Sequence, residues 1–481
     1  MTGLLIAGTS SDAGKSLFVT GLCRVARRRG IDVAPFKSQN MSNNSMVCVD
    51  GSEIGRAQYL QATAAGVVPS SLLNPVLLKP GTDRRSFVVL RGQPHGTLEA
   101  GEYATSRTHL ADAAYAAYEE LAATHDLVIC EGAGSPAEIN LRRGDYTNMG
   151  LARRFDLPTV LVGDIDRGGV LASLFGTWAL LDDADRALLA GYVINKFRGD
   201  RSILAPGLDD ISSRTGMPNF GVLPYLAGVW VDGEDALEVG RWRGDGVAAD
   251  AADDLTVAAV RLPRISNATD IDALAQEPGV RVVVTVDPRE VERADVVVLP
   301  GSRSTLSDLA WLRETGIADV IVRRAAAGRP VLGVCGGFQM LARTIDDDVE
   351  GDGGAPGLGL LPVDIRFHAE KVLGRPTGQW RGHAVDGYTI HHGRPTVDPG
   401  AEPFLDGAHT GSAWGTMWHG SLECDDFRRA WLWEVAREAG SPWQPRDSGR
   451  GFAALREQMI ETTADAIETH IDADALLGLA R

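Results

Sequence analysis

Cysteine is scarce and scattered. Five residues in 481 (Cys23, Cys48, Cys130, Cys335, Cys424), an odd count with no C-x-x-C spacing, argue against a disulfide framework or a zinc ribbon. Positive charge is also short. Lys plus Arg number 47 against 64 Asp plus Glu, leaving −17, so the chain repels phosphate at long range and is expected to bind neither nucleic acid nor an anionic membrane nonspecifically. Long apolar runs are missing. The longest uncharged stretch near mid-chain, Gly168 to Leu181, has 14 residues broken by Gly and Thr, whereas a spanning helix needs about 20. Met1 to Ala7 offers no basic lead and no room for a signal-peptide apolar core before the polar Gly8–Ser16 loop. The expectation is a cytoplasmic protein. What remains is ordinary for a globular chain, with 44% hydrophobic and 23% charged residues. At about 150 residues per domain, the length suggests two to four domains.

Short apolar runs alternate with longer helical patterns. Leu4–Ala7, Val33–Phe36, Leu127–Cys130, Thr159–Val162, Tyr192–Ile194 and Gly221–Leu223 read as buried parallel strands of an α/β sheet. Residues 231–254, rich in Gly, Ala and Asp, read as a linker between a domain at 1–230 and a second at 255–445. The second series begins with Leu255–Val260 and continues through Val280–Val286, Val296–Leu299 and Val331–Val334. In the tail, 446–481, Leu455, Met459, Thr463, Ile467 and Ile471 recur every four residues, which predicts an amphipathic helix.

Gly8-Thr-Ser-Ser-Asp-Ala-Gly14-Lys15-Ser16 follows the first strand and opens a helical pattern. It resembles a P-loop with five residues between the glycines instead of four. Backbone N–H groups, including those of Gly8, Ser11 and Gly14, and a helix N-terminus would form a nest for the phosphates of ATP. Lys15 would reach the terminal phosphates and the Ser16 hydroxyl would coordinate Mg²⁺. Glu131 ends a predicted strand that a parallel sheet places beside this loop, making it a second Mg²⁺ ligand candidate. Asp50 and Glu53 are further hard-oxygen candidates, with Glu53 favoured. Lys37, Arg84, Arg85, Arg142, Arg143, Arg167 and Arg198 fall near strand ends or their loops and could clamp a carboxylate-rich ligand.

Pro330-Val-Leu-Gly-Val-Cys335-Gly-Gly-Phe-Gln-Met340 reads as strand, tight turn, helix. Cys335 at that turn has the setting of a nucleophile elbow, and the two glycines let substrate approach the backbone. The base could be His419, about 80 residues on, or His391 or His392.

Longer strings carry a family resemblance. The five-spaced loop with Glu131-Gly-Ala-Gly looks like the dethiobiotin synthetase and MinD-like branch of P-loop proteins. Gln39-Asn-Met-Ser-Asn-Asn-Ser45, Asp50-Gly-Ser-Glu-Ile-Gly-Arg-Ala-Gln58, Asn74-Pro-Val-Leu-Leu-Lys-Pro80, Gly163-Asp-Ile-Asp-Arg-Gly-Gly169 and Val193-Ile-Asn-Lys-Phe-Arg-Gly199 closely resemble the cobyric acid synthase family. These are glutamine-dependent amidotransferases of cobalamin synthesis. The C-terminal part resembles class I glutamine amidotransferases, which favours His419 as the base. Most of those carry Glu two residues after the His; here Ser421 stands there, as in the cobyrinate and cobyrate amidase branch. The group orienting His419 is therefore left open, and Glu423 is not assigned to it.

The resemblance implies a fold and a reaction. The fold is α/β: a P-loop, dethiobiotin synthetase-like parallel-sheet domain followed by a glutamine amidotransferase-like α/β domain. Asn195 and Lys196 would lie near adenine, and the Gly301–Arg303 loop with the Gly336 N–H would form an oxyanion hole. The substrates would be glutamine and a corrinoid, adenosylcobyrinic acid a,c-diamide, amidated at its b, d, e and g carboxylates with four ATP and four glutamine. Homo-oligomerisation is left open. The rivals are cobyrinic acid a,c-diamide synthase, a MinD-like regulatory ATPase and a murein-modifying amidotransferase subunit.

Overall fold

The computed structural model describes residues 3–81, 85–99, 107–229, 254–351, 353–446 and 449–480. Nearly all of the expected linker, and Arg84, lie outside them.

The first sheet has six parallel strands in the order Asn219–Pro224, Leu189–Phe197, Thr159–Asp164, Gly3–Gly8, Leu127–Glu131, Val33–Phe36. Its strands are apolar on both faces because helices cover both. Leu4 and Ile6 join the helix Lys15–Arg28 in one core, whereas Leu5 joins Tyr118 and Leu121 of the helix Thr108–Thr124 in another. That alternation is the two-residue period of a strand. All six predicted strands are present, each a little longer than its apolar run, except Val33–Phe36, which matches.

The second sheet runs Val280–Thr285, Leu255–Val260, Val296–Leu299, Val331–Val334, Ala413–Thr416, then the antiparallel pair Gly407–Thr410 and Glu402–Phe404. Its first five strands are parallel. Sequence patterning missed two mixed four-stranded layers. One joins Gln39–Met41, Val76–Pro80, Arg85–Leu90 and Gln93–Glu99; another joins Gly353–Pro356, Thr344–Asp347, Val363–Gly374 and Thr389–Val397. Most of their strands are part-exposed and mix polar with apolar residues, so few continuous apolar runs mark them, the buried Val76–Leu78 run excepted.

The C-terminal segment is helical at Phe452–His470 and Ala473–Gly478. Although it follows the second domain in sequence, it completes the first. Met459, Ile460, Ala464 and Ile467 enter the core built on Leu4, Ile6, Phe18 and Leu22. Arg24 and Arg28 on the first helix pair with Glu457, Glu461 and Glu468. Gly21 lies at the closest approach: a β-carbon there would stand 2.6 Å from Ile467 Cδ1.

Where the halves meet, three contacts bring their sites together. Ser45 N–H donates to Asn267 Oδ1 at 2.8 Å and Ala268 N–H donates to Asn44 Oδ1 at 3.0 Å, a reciprocal pair with both asparagines buried. Glu53 is gripped by Lys79 of its own half and Lys371 of the other. Val47 packs on Tyr388 and Ile390. Among the described residues, no helix is long and apolar enough to cross a membrane.

Because Ile467 is fully buried between the first helix and the tail, Ile467→Ala should cost about 2–4 kcal/mol. A lowered thermal unfolding midpoint of the nucleotide-site half, followed with ATP absent, is the expected readout.

Candidate active sites

The phosphate loop sits at the C-terminal edge of the first sheet, between the central strand Gly3–Gly8 and the helix that starts at Lys15. Gly14 has φ 86°, in the left-handed region that a glycine adopts without strain. Gly8 is crowded by Lys15, whose ammonium would lie 2.8 Å from a β-carbon there. Lys15 Nζ folds over the loop and donates to Ser10 O at 3.0 Å and Gly134 O at 3.2 Å. Ser11 and Lys15 face a cavity of about 460 Å³, large enough for a small-molecule ligand.

Strand pairing brings Glu131 to this loop as expected. Ser16 Oγ donates to Glu131 Oε1 at 2.8 Å, Lys37 Nζ donates to the same oxygen at 2.8 Å, and Gln61 donates to Oε2 at 2.6 Å. Burial alone would raise this carboxyl's pKa, but Lys37, Gln61 and Lys15 outweigh it and hold Glu131 below the usual range. Mg²⁺ beside nucleotide phosphates takes a hydroxyl and one or two carboxylate oxygens. Ser16 and Glu131 supply that donor set, so the residues present fit the ion.

Glu53 is placed differently. It is fully buried, with Oε1 on Lys79 at 2.5 Å and on the Ser45 hydroxyl, and Oε2 on Lys371 at 2.6 Å. Both oxygens are taken by ammonium groups, which a cation would have to displace. Its observed work is to join the halves of the chain. Burial pushes Lys79 down to about 8 even with Glu53 beside it, and the two lysines hold Glu53 well below the usual carboxylate range.

Asn195 also does local work. Its Nδ2 donates to Ala13 O at 2.9 Å and its Oδ1 accepts from Lys196 N–H, so both polar ends are used beneath the loop. Lys196 Nζ donates to Asp12 O at 2.6 Å and pairs with Asp164. Of the cationic clamp candidates, Lys37 is on Glu131, Arg85 on Glu99, Arg142 on Asp185, Arg167 on Asp12 and Arg198 on Asp166. Lys37 and Arg142 line the cavity.

The second site is built on the strand Val331–Val334. Cys335 has φ 50° and ψ −106° at the sharp turn into the helix Gly336–Leu341. Backbone strain of this kind persists where surrounding contacts over-determine it; Cys335 N–H donates to Thr416 O and Gln339 N–H donates to Cys335 O. Gly336 is required by close approach, since a β-carbon there would lie 2.6 Å from Ser302 N. The turn and the Gly301–Arg303 loop therefore abut, although the Arg303 N–H is taken by Arg264 O at 2.8 Å. His419 meets the same loop: a β-carbon on Gly301 would be 3.0 Å from its Cε1.

His419 is buried and stacked on Tyr388. Its Nδ1 bonds Asp270 Oδ2 at 2.6 Å, and Asp270 Oδ1 accepts the Gly420 N–H at 2.7 Å. Nε2 makes no well-formed hydrogen bond, and the Cys335 sulfur is its polar neighbour. Burial works against the charged ring, but Asp270 and then Cys335 overcome it and raise His419 from 6.5 to about 10. The competing His391 is driven by burial down to about 4 and bonds Gly393 O.

Asp270 is the orienting group that sequence reasoning left open. It lies 149 residues before His419, so no spacing rule reaches it. The available signal was a polar string, Ser266-Asn-Ala-Thr-Asp-Ile-Asp272, separated by five residues from the predicted strand Leu255–Val260. Asn267, Thr269, Asp270 and Asp272 are all buried. Ser421 accepts no role at the ring, and Glu423 pairs with Arg56 and Arg456.

The fold and both sites define a two-domain enzyme class, a nucleotide-binding domain joined to a glutaminase. Family models agree: residues 4–237 match the CobQ/CobB/MinD/ParA nucleotide binding domain and residues 256–427 the CobB/CobQ-like glutamine amidotransferase domain. Cobyric acid synthase of Cutibacterium acnes is 69% identical over all of this chain and all of its own. That of Mycolicibacterium gilvum is 54% identical over 100% of this chain and 97% of its own, and that of Streptomyces avermitilis 55% over 98% and 95%. The chain belongs to the cobyric acid synthase family, whose members are glutamine-dependent amidotransferase ligases.

Asp270→Asn should lower glutamine-dependent turnover by about 10³–10⁴-fold, as in other triads, while Glu423→Gln should not. The same variant tests the ion pair by its pH dependence. The His419 pKa is raised, so the pair's stabilisation is complete below about pH 6.5, where unfolded His is protonated too. It fades as pH rises towards about 10. The difference in unfolding midpoint between wild type and Asp270→Asn should therefore shrink from pH 7 to pH 9.5.

Proposed function

We propose that the chain makes amides from corrinoid carboxylates, using glutamine as nitrogen donor and ATP to activate each carboxylate. The substrate is adenosylcobyrinic acid a,c-diamide, and the b, d, e and g carboxylates receive the nitrogen. The observation that carries this reading is the Cys335–His419–Asp270 constellation in the same chain as a phosphate loop whose Ser16 meets Glu131.

At the glutaminase site, His419 already holds the proton taken from Cys335, in keeping with its raised pKa, and the sulfur attacks the side-chain carbonyl of glutamine. The Gly336 N–H and the Gly301–Ser302 part of the neighbouring loop would supply donors for the developing oxyanion, the Arg303 N–H being spent on Arg264 O at 2.8 Å. Collapse breaks the C–N bond, His419 protonates the leaving nitrogen, and ammonia departs from a thioester. Water, deprotonated by His419, then releases glutamate and restores the thiol. Asp270 keeps Nδ1 protonated and Nε2 turned towards the sulfur.

At the other site, a substrate carboxylate oxygen attacks the γ-phosphorus of ATP and ADP leaves, giving an acyl phosphate. Ammonia attacks its carbonyl and phosphate departs, leaving the amide. Activation is needed because a carboxylate is a poor electrophile. Lys15 offsets charge on the transferring phosphoryl group. Ser16 and Glu131 would hold Mg²⁺, which when bound neutralises phosphate charge. Lys37, already on Glu131 and facing the cavity, adds a second fixed positive charge there.

Cys335→Ala should abolish synthesis from glutamine and retain synthesis from concentrated ammonia. Lys15→Ala should lose both. Mass spectrometry of the product made from the diamide, ATP, Mg²⁺ and glutamine should find four added amides. Two amides added to the free acid would point to the a,c-diamide reaction instead. A Cys335→Ala chain that ammonia fails to rescue would end the two-site scheme.

A further inference from the structure

The cleft beside Cys335 contains a charge pair that the chemistry above does not use. Arg303 and Glu350 form an ion pair in it, their side chains only 10% and 11% exposed. The Arg303 guanidinium lies flat on Phe87, 3.6 Å from the ring centroid, and Phe87 belongs to the nucleotide-binding half. The Arg303 Nε is buried with no hydrogen-bond partner. A guanidinium presents its N–H groups as a planar fork that matches a carboxylate. Leaving one edge of that fork buried and unsatisfied is costly, so such a group calls for an explanation. Lys79 and Lys371 line the same cleft and are already tied to Glu53, whereas the Arg303 Nε edge has no partner.

Glutamine enters with a head group carrying one carboxylate and one ammonium. These are the same two charges that Glu350 and Arg303 show to each other. We propose that Arg303 binds the α-carboxylate of glutamine and Glu350 binds its α-ammonium. The site rests on the reading of Cys335 as a glutaminase nucleophile and adds to it the part that recognises the donor.

The cleft holds about 30 Å³, room for a water or two, so the ion pair opens when the zwitterion binds. Two ligand pairs then replace one internal pair, and the idle Nε edge gains an oxygen. Phe87 keeps the guanidinium plane fixed, so the nucleotide-binding half supplies one wall of the glutamine site. A simple amide without the head group cannot open the pair, which gives the site its selectivity for an amino acid.

The test measures ammonia release by the full chain, with ATP, Mg²⁺ and the corrinoid present. Three amides are compared: glutamine, 4-carbamoylbutanoate (no amino group) and 4-aminobutanamide (no carboxylate). Glu350→Gln should raise KM for glutamine by about 30-fold, as expected for a lost charge-assisted bond, with kcat changed far less. It should also lose most of the preference for glutamine over 4-carbamoylbutanoate. Arg303→Met should lose the preference over 4-aminobutanamide, and Arg303→Lys should restore part of it. A role in packing alone would not exchange the two selectivities in this way. Variants that keep both wild-type preferences overturn the assignment. Wild type releasing no ammonia from glutamine, or Cys335→Ala still releasing it, would overturn the glutaminase reading itself.

Discussion

Glu53 has no exposure to solvent and holds an ammonium group from each half of the chain, Lys79 on one oxygen and Lys371 on the other. Removing one partner from a buried ion pair costs about 3–5 kcal/mol, because the remaining charge is left uncompensated. The halves are therefore docked in one relative position. That docking permits the reciprocal bonds of Asn44 and Asn267, the packing of Val47 on Tyr388, and the seating of Arg303 on Phe87.

The seam also fixes the distance between two chemistries. Pro263, Arg264 and Ile265 line the cavity at the phosphate loop, whereas Ser266 and Asn267 line the Cys335 cleft. Ile265 and Ser266 pair with Ser302 and Gly301, and Asp270 follows a few residues later. One short segment thus touches the cavity at the phosphate loop, the Gly301–Arg303 loop and the carboxylate on His419. An amidotransferase that moves ammonia between sites benefits from this compactness, since ammonia in water is protonated and diluted.

The charges near each site follow a common physical rule. A buried ionisable side chain is stable only with a partner. Glu131 has Lys37, Glu53 has two lysines, His419 has Asp270, and Glu277 has Arg428 and Arg429. Glu131 is thereby held in place beside the phosphate loop and His419 beside Cys335, and Glu53 is held as a joint between the halves.

The ten core strands were legible in the sequence because each is a short run of apolar residues, and the Gly8–Ser16 and Cys335 turns because strand, glycines and reactive side chain are contiguous. From those stretches followed the two α/β units and the expectation of a phosphate loop and a nucleophile; the reaction class followed from the longer strings that carry the family resemblance. The two mixed layers escaped because most of their strands interleave polar residues on open faces with few apolar ones, leaving little continuous apolar run to read. Folding decided what depends on distant partners: Asp270 on His419, Lys371 on Glu53, Phe87 under Arg303, and a last helix that completes the first core. Such pairs are far apart along the chain, and only the docking of complementary surfaces, driven by burial of apolar area and pairing of charge, brings them within bonding distance.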